Sequence, residues 1–199
     1  YKGFVRSGAD LPEDKKTELK KINEEISALQ LQFGQNLLAE TGSYKLVIDK
    51  EEDLAGLSEA LKTSAFARGE KDSSTTGKWV FGLDNPSIIP FLQQAENREL
   101  RKEILNAYLN RCNNNNEFDN KEVIKKLIDL RLKRAKILGF ENFAQYQLET
   151  RMAKTEENVY NLLNQLWKPA LESAKKELAD MSAIAKESGL EGDLEAADW

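Results

Sequence analysis

Three groups of side chains in this sequence have the types and spacing to do chemistry. The first is acidic. Glu149, Glu156 and Glu157 lie at near-helical spacing, and paired carboxylates can hydrolyse a glycoside or hold a hard cation. With 34 Asp and Glu in the chain, such pairs arise by chance, and no stretch carries an EF-hand pattern. The second group is Gly69…Gly77-Lys78. A phosphate-cradling loop reads G-x-x-x-x-G-K-[ST]. Here seven residues separate the glycines and Trp79 follows the lysine, so the segment reads as a solvated loop. The third group is basic: Lys121, Lys125, Lys126, Arg131, Lys133, Arg134 and Lys136 outnumber Asp119, Glu122 and Asp129. Such a row can attract phosphates or acidic partners. It is interleaved with Val123, Ile124, Leu127, Leu130, Ala135 and Leu138, which makes it the solvated face of a packed helix.

A missing residue type decides more than these do. The chain of 199 residues contains no histidine. Histidine titrates near neutral pH and is the commonest metal ligand. Its absence removes Ser-His-Asp and Cys-His catalysis and every zinc site that needs an imidazole. No catalytic or metal-binding residue is therefore assigned in this chain, and its substrate-binding residues are unknown at this stage. The single Cys112 rules out an internal disulfide. It favours a reducing, cytoplasmic compartment while leaving export to the periplasm open. Net charge is −5, from 29 basic and 34 acidic residues, which gives no basic face for nucleic acid. No apolar run approaches the ~18 residues of a membrane span, and no signal peptide is seen. The chain begins Tyr1 rather than Met, with Phe4 and Val5 close behind, which suggests a cut fragment.

The elements that must position these side chains are mostly helical. Residues 12–40 read as one long amphipathic helix, with Leu19, Ile22, Ile26, Leu29, Phe33 and Leu37 at spacings of three and four. Pro12 suits the first turn, Glu13 and Asp14 suit its positive end, and Thr41-Gly42 is expected to stop it. Residues 44–48 and 78–83 are β-prone. Two short helical stretches, 54–57 and 58–68, lie between them, so the strands are expected to pair in parallel across a helical crossover or with strands outside the chain. The polar run 69–77 is expected to be a mobile loop. Helices follow at 87–95, 98–111, 120–138 (closed by Gly139) and 142–149, with an asparagine turn at 113–116. The last runs over 156–188, with Thr155 as N-cap. Val159, Leu163, Leu166, Ala170, Ala174, Leu178, Met181 and Ala185 form its apolar stripe, and Pro169 is expected to kink it. Trp79, Phe81, Phe91, Tyr108, Phe143, Tyr146, Tyr160 and Trp167 read mostly as core anchors. The fold class is mainly α: a multi-helix bundle of long antiparallel helices with a small two-stranded β element.

Several segments, taken in order, resemble one family. Phe4-Val5-Arg6-Ser7-Gly8-Ala9 precedes the first long helix, which carries Leu29-Gln30-Leu31-Gln32-Phe33-Gly34-Gln35-Asn36. Gly77-Lys78-Trp79-Val80-Phe81, Leu83-Asp84-Asn85-Pro86-Ser87 and Glu96-Asn97-Arg98-Glu99-Leu100-Arg101 follow, then Ala107-Tyr108, Asp119-Asn120, Ala135-Lys136-Ile137-Leu138-Gly139-Phe140 and Asn142-Phe143-Ala144. The most specific run is Arg151-Met152-Ala153-Lys154-Thr155 with Glu157-Asn158-Val159. The series resembles the thimet-oligopeptidase-like zinc metallopeptidases, which include oligopeptidase A and the bacterial peptidyl-dipeptidase (dipeptidyl carboxypeptidase). The run from Met152 to Thr155 leans toward the latter branch. Where the family often shows Pro-Trp-Asp-Trp, this chain has Ala196-Ala197-Asp198-Trp199.

The resemblance implies a mostly helical enzyme split by a deep channel that admits short peptides. Zinc would be held by an HExxH helix and a downstream Glu, the HExxH Glu acting as general base. None of those positions occurs here. The resemblance therefore implies that residues 1–199 are a non-catalytic N-terminal helical lobe that walls the channel, with zinc and the catalytic lobe in the rest of the parent. A lobe taken from its partner should expose an apolar surface. The competing reading is an autonomous helical interaction module with no hydrolase attached.

Overall fold

The computed structural model describes residues 1–198; Trp199, the end of the Asp198-Trp199 pair, lies outside the described residues. In chain order the elements are α1 (Lys2–Arg6), α2 (Glu13–Ser43), β1 (Leu46–Ile48), a 3-10 turn (Glu51–Leu54), α3 (Glu59–Gly69), β2 (Trp79–Phe81), α4 (Asn85–Gln94) and α5 (Arg98–Leu109). Then come α6 (Lys121–Ile137), α7 (Phe143–Leu148), α8 (Glu156–Glu187) and a 3-10 turn at Ala196–Asp198. Helix starts follow the capping residues: Asn97 accepts from the N–H of Glu99 and Leu100, Asn142 from Gln145, and Thr155 from Asn158. Gly139, at φ +86°, ends α6 where a left-handed residue is needed. Gly42 does not end α2. It stays out of the left-handed region, and the helix runs on to Ser43. The chain divides into two compact units: Tyr1–Phe33 with Glu122–Gly192, and Gly34–Lys121 with the residues from Asp193 on.

The second of these units is built around β1 and β2. They pair antiparallel, with Leu46 opposite Phe81 and Ile48 opposite Trp79, which corrects the parallel expectation. A parallel pair needs a connection that crosses from one end of the ribbon to the other. Here the polar loop folds back on the end of α3. Thr75, itself buried, bonds the carbonyl of Gly69 at 2.8 Å, and the Gly77 N–H donates to Glu70 at 2.8 Å. The chain thus re-enters at the end it left. This loop is a set of bonded turns rather than a loose solvated run. Beneath the ribbon lie Phe81 and Phe91, both fully buried with ring centroids 4.6 Å apart, joined by Leu54, Leu83, Ile88 and Ile104. Burying such side chains stabilises by about 1.5–3 kcal/mol each before entropy is counted.

The first unit is organised by an antiparallel helix pair. Ile22, Ile26 and Leu29 of α2 pack against Val123, Leu127 and Leu130 of α6. Leu19 and Leu138 both abut Gly8 at one end, and Phe33 lines a groove with Ile124 at the other. Helix α8 departs from the expected bundle. It is unbroken through Pro169 over 32 residues, and every residue from 161 to 180 is exposed. Leu163, Leu166, Ala170, Ala174 and Leu178 of its apolar stripe are exposed, and Tyr160 and Trp167, read among the core anchors, are surface residues, at 64% and 67% exposure. The spacing fixed which face is apolar, not that a neighbour covers it. No described helix is long and apolar enough to cross a membrane.

Candidate functional site

The side chains singled out for chemistry do not converge. Glu149 is ion-paired with Arg6, whose guanidinium also donates to the Tyr146 carbonyl at 2.6 Å and lies over the Tyr146 ring. That arrangement holds α1 to α7. Glu156 and Glu157 sit in the first turn of α8, where acidic residues favour the helix start. Among the described residues no group of three or more His, Cys, Asp or Glu converges. The basic row of α6 is largely engaged locally. Lys125 pairs with Glu122 at 2.6 Å, Lys121 with Asp119 at 2.6 Å, Arg131 lies over the Phe143 ring and Arg134 over the Tyr146 ring. The same helix shows a second, unexpected row to solvent: Ile124, Ile128 and Leu132. Ile124 and Ile128, with Gln30, Phe33, Leu127 and Arg131, edge a shallow groove of about 410 Å³.

Two buried carboxylates escaped the sequence reading. Glu40, near the end of α2, accepts from the Cys112 N–H, from Asn114 Nδ2 at 2.7 Å and from Asn116 Nδ2 at 2.9 Å. Burial pushes its carboxyl up, but the three donors more than offset that and hold it below its ordinary value. The asparagine turn is thus wrapped round one anion, with Cys112 and Asn115 in left-handed backbone. Burial, then the Glu40 carboxylate, pushes the Cys112 thiol up to about 11. It stays protonated and is a poor nucleophile or metal ligand.

The other is Asp198. It accepts from Arg98 Nη2 at 2.8 Å and from Arg101 Nη2 at 2.9 Å, while Arg101 Nε donates to the Ala197 carbonyl at 2.8 Å. The Arg98 bond more than offsets burial and holds Asp198 well below the carboxylate range. A polar groove of about 690 Å³ lies beside Tyr44 in the same unit. Two of its cations are matched by anions, Lys45 by Asp72 and Arg68 by Asp84 at 2.7 Å. Burial and Glu103 push the Tyr44 hydroxyl up to about 12, so it is neutral.

The segments that carried the resemblance therefore serve as joints. Asn97 caps α5 and donates to Asp53 at 2.8 Å. Arg98 and Arg101 hold Asp198, Asp84 holds Arg68, and Ser87 Oγ accepts from the Gly82 N–H at 3.0 Å. The run Arg151–Thr155 forms the turn into α8, with Met152 98% exposed and Asn158 donating to the Ala153 carbonyl at 2.7 Å. A zinc ion does not fit this donor set. The chain has no imidazole, its one thiol is held protonated, and its best-buried carboxylates are occupied by amide and guanidinium donors.

The profile of Peptidase family M3 matches residues 91–199. Among curated proteins the chain is similar to "Probable cytosolic oligopeptidase A" of Arabidopsis thaliana, 34% identical over 193 residues, covering 94% of this chain and 27% of that protein. It is also similar to "Oligopeptidase A" of Salmonella typhimurium, 34% identical, covering 94% and 28%. "Dipeptidyl carboxypeptidase" of Escherichia coli is 31% identical, covering 100% and 29%. The chain thus spans less than a third of the length of the curated relatives it matches.

Proposed function

The chain belongs to Peptidase family M3, and from that premise we propose that it is the non-catalytic helical lobe of a zinc-dependent peptidase that hydrolyses short peptides. In this reading the lobe walls the channel by which peptides reach a catalytic lobe of the same polypeptide, and zinc sits in that other lobe. The observation that supports it is a division of labour within residues 91–199. The polar residues of the matched segments, Asn97, Arg98, Arg101, Asn142 and Thr155, are all spent on caps and joints. None is left as a cluster that could activate water. What the chain contributes is shape, and the chemistry is supplied elsewhere. The Arg151–Thr155 run supports the branch that releases dipeptides from the C-terminus.

The test begins with the parent gene. Its reading frame after residue 199 should encode an HExxH motif and a downstream Glu. The full polypeptide should then cleave short peptides and lose that activity to a chelator, while the 199-residue chain cleaves nothing. Mass spectrometry of the products distinguishes C-terminal dipeptide release from internal cleavage. A full polypeptide without activity, or cleavage by the 199-residue chain itself, sinks the reading. The exposed apolar face of α8 is equally what a second reading, an autonomous interaction module, would present. A reading frame without the zinc motif would support that one instead.

A further inference from the structure

We infer that the apolar face of α8 is the seat on which the remainder of the parent polypeptide docks, an inference that rests on the peptidase reading above. From 161 to 180 not one residue is shielded, yet the helix is strongly two-faced. Tyr160, Leu163, Leu166, Trp167, Leu171 and Leu178 recur at spacings of three, four and seven and are between 37% and 67% exposed. Asn161, Gln165, Lys168, Glu172 and Lys175 fall on the opposite side. A helix of this length draws little stability from propensity alone; an amphipathic one is held by what covers its apolar stripe. An apolar strip this long, edged by polar residues, is the mark of a contact surface rather than of scattered exposed side chains.

Three observations select the occupant. The relatives are more than three times as long as the segment they share with this chain, so a large body accompanies the segment in each of them. The whole of α8 lies inside the 91–199 family match, which ties the bare stripe to the family's common architecture. The turn feeding the helix, also inside the match, presents Met152 at 98% exposure, a flexible apolar side chain suited to an interface. The partner surface is accordingly apolar and continuous along about five helical turns. Its widest hollows face Leu163, Leu166 and Trp167, and after Pro169 it meets Leu171 and Leu178 with Ala170 and Ala174 between the larger side chains.

Hydrogen exchange read by mass spectrometry on the 199-residue chain and on the full parent polypeptide tests this. In the full polypeptide the amides of 161–180 should exchange at least about tenfold more slowly, while Leu46–Ile48 and Trp79–Phe81 exchange alike in both. Leu163→Asp with Trp167→Asp in the full polypeptide should restore fast exchange. Equal exchange of 161–180 in the two wild-type proteins overturns the inference, as does unchanged protection in the double variant. Full protection reached by the 199-residue chain alone as its concentration rises also overturns it, because a second copy is then the occupant. Peptide cleavage by the same full polypeptide is scored separately. Protection without cleavage keeps the docking face and sinks the peptidase reading; cleavage without protection does the reverse.

Discussion

Phe81 and Phe91 are fully buried in one unit of the chain, whereas Tyr160 and Trp167 in the other are 64% and 67% exposed. All four are aromatic residues on regular elements, and the two pairs differ most in what faces them. The ribbon-and-helix unit closes over itself: α3, β2, α4 and α5 each contribute to one cluster. In the helix-pair unit the apolar cluster of the described residues runs between α2 and α6, and α8 adds nothing to it along 161–180. A self-contained core and a half-finished one therefore coexist in one chain. The first is closed by its own side chains, and the second leaves an apolar helix face uncovered.

That comparison is easiest to break by removing a ring. Phe91→Ala should cost about 3–5 kcal/mol, since the site is fully enclosed and cannot collapse without moving Phe81. Urea unfolding followed by far-ultraviolet circular dichroism measures it. A loss below about 1 kcal/mol would mean that the cluster around the ribbon is not the stabilising core. Glu40→Gln comes next, at about 1–3 kcal/mol, because a buried, charged acceptor of three donors becomes a neutral one. The pH dependence has a definite sign. Glu40 is held below its ordinary 4.5 in the folded chain, so its stabilisation is complete above that value and is lost as pH falls through the lower folded one. Denaturation midpoints taken from pH 7 down to pH 3 should fall more steeply for the wild type than for Glu40→Gln. Parallel profiles would remove Glu40 from the acid response.

The contrast between the units also explains how much was legible in the sequence. Helix positions came through because caps and stops are local: Asn97, Asn142, Thr155 and Gly139 do what their types suggest. Strand direction did not, because it depends on a loop turning back at Gly69, where a Cβ would sit 2.1 Å from the Lys78 carbonyl oxygen. No short-range pattern announces that contact. Glu40 and Asp198 were invisible for the same reason. Cys112 lies 72 residues from Glu40, and Arg101 and Arg98 lie 97 and 100 residues from Asp198, and one carboxylate among 34 acidic residues carries no mark of burial. The stripe on α8 was legible as apolar, but its spacing carries no sign of whether a neighbour covers it.

A smaller effect is expected at the end of α6. Gly139 has φ +86° and no atom within 4 Å of where a Cβ would go. Gly139→Ala therefore carries only the backbone strain of left-handed alanine, about 1 kcal/mol. Thermal unfolding should show a shift of a few degrees in the unit that contains α6, and a neutral result would show that the helix end can re-form around another residue.

The smallest effect is the most informative. Trp167→Ala in the 199-residue chain should change stability by no more than about 0.5 kcal/mol, because a side chain that is 67% exposed leaves no cavity when it goes. Alanine is also the better helix former, so the small change should favour the folded state. This sets two substitutions of large aromatic residues by alanine side by side, with Phe91 expected to cost several times more than Trp167. A Trp167→Ala loss above about 1.5 kcal/mol would mean that the face is already covered. Repeating that measurement over a range of protein concentrations would then say by what. A loss that grows with concentration points to a second copy of the chain, and one that does not points to the chain's own packing. A neutral Trp167→Ala at every concentration means that the stripe is bare in this chain, neither packed by its own residues nor covered by a second copy.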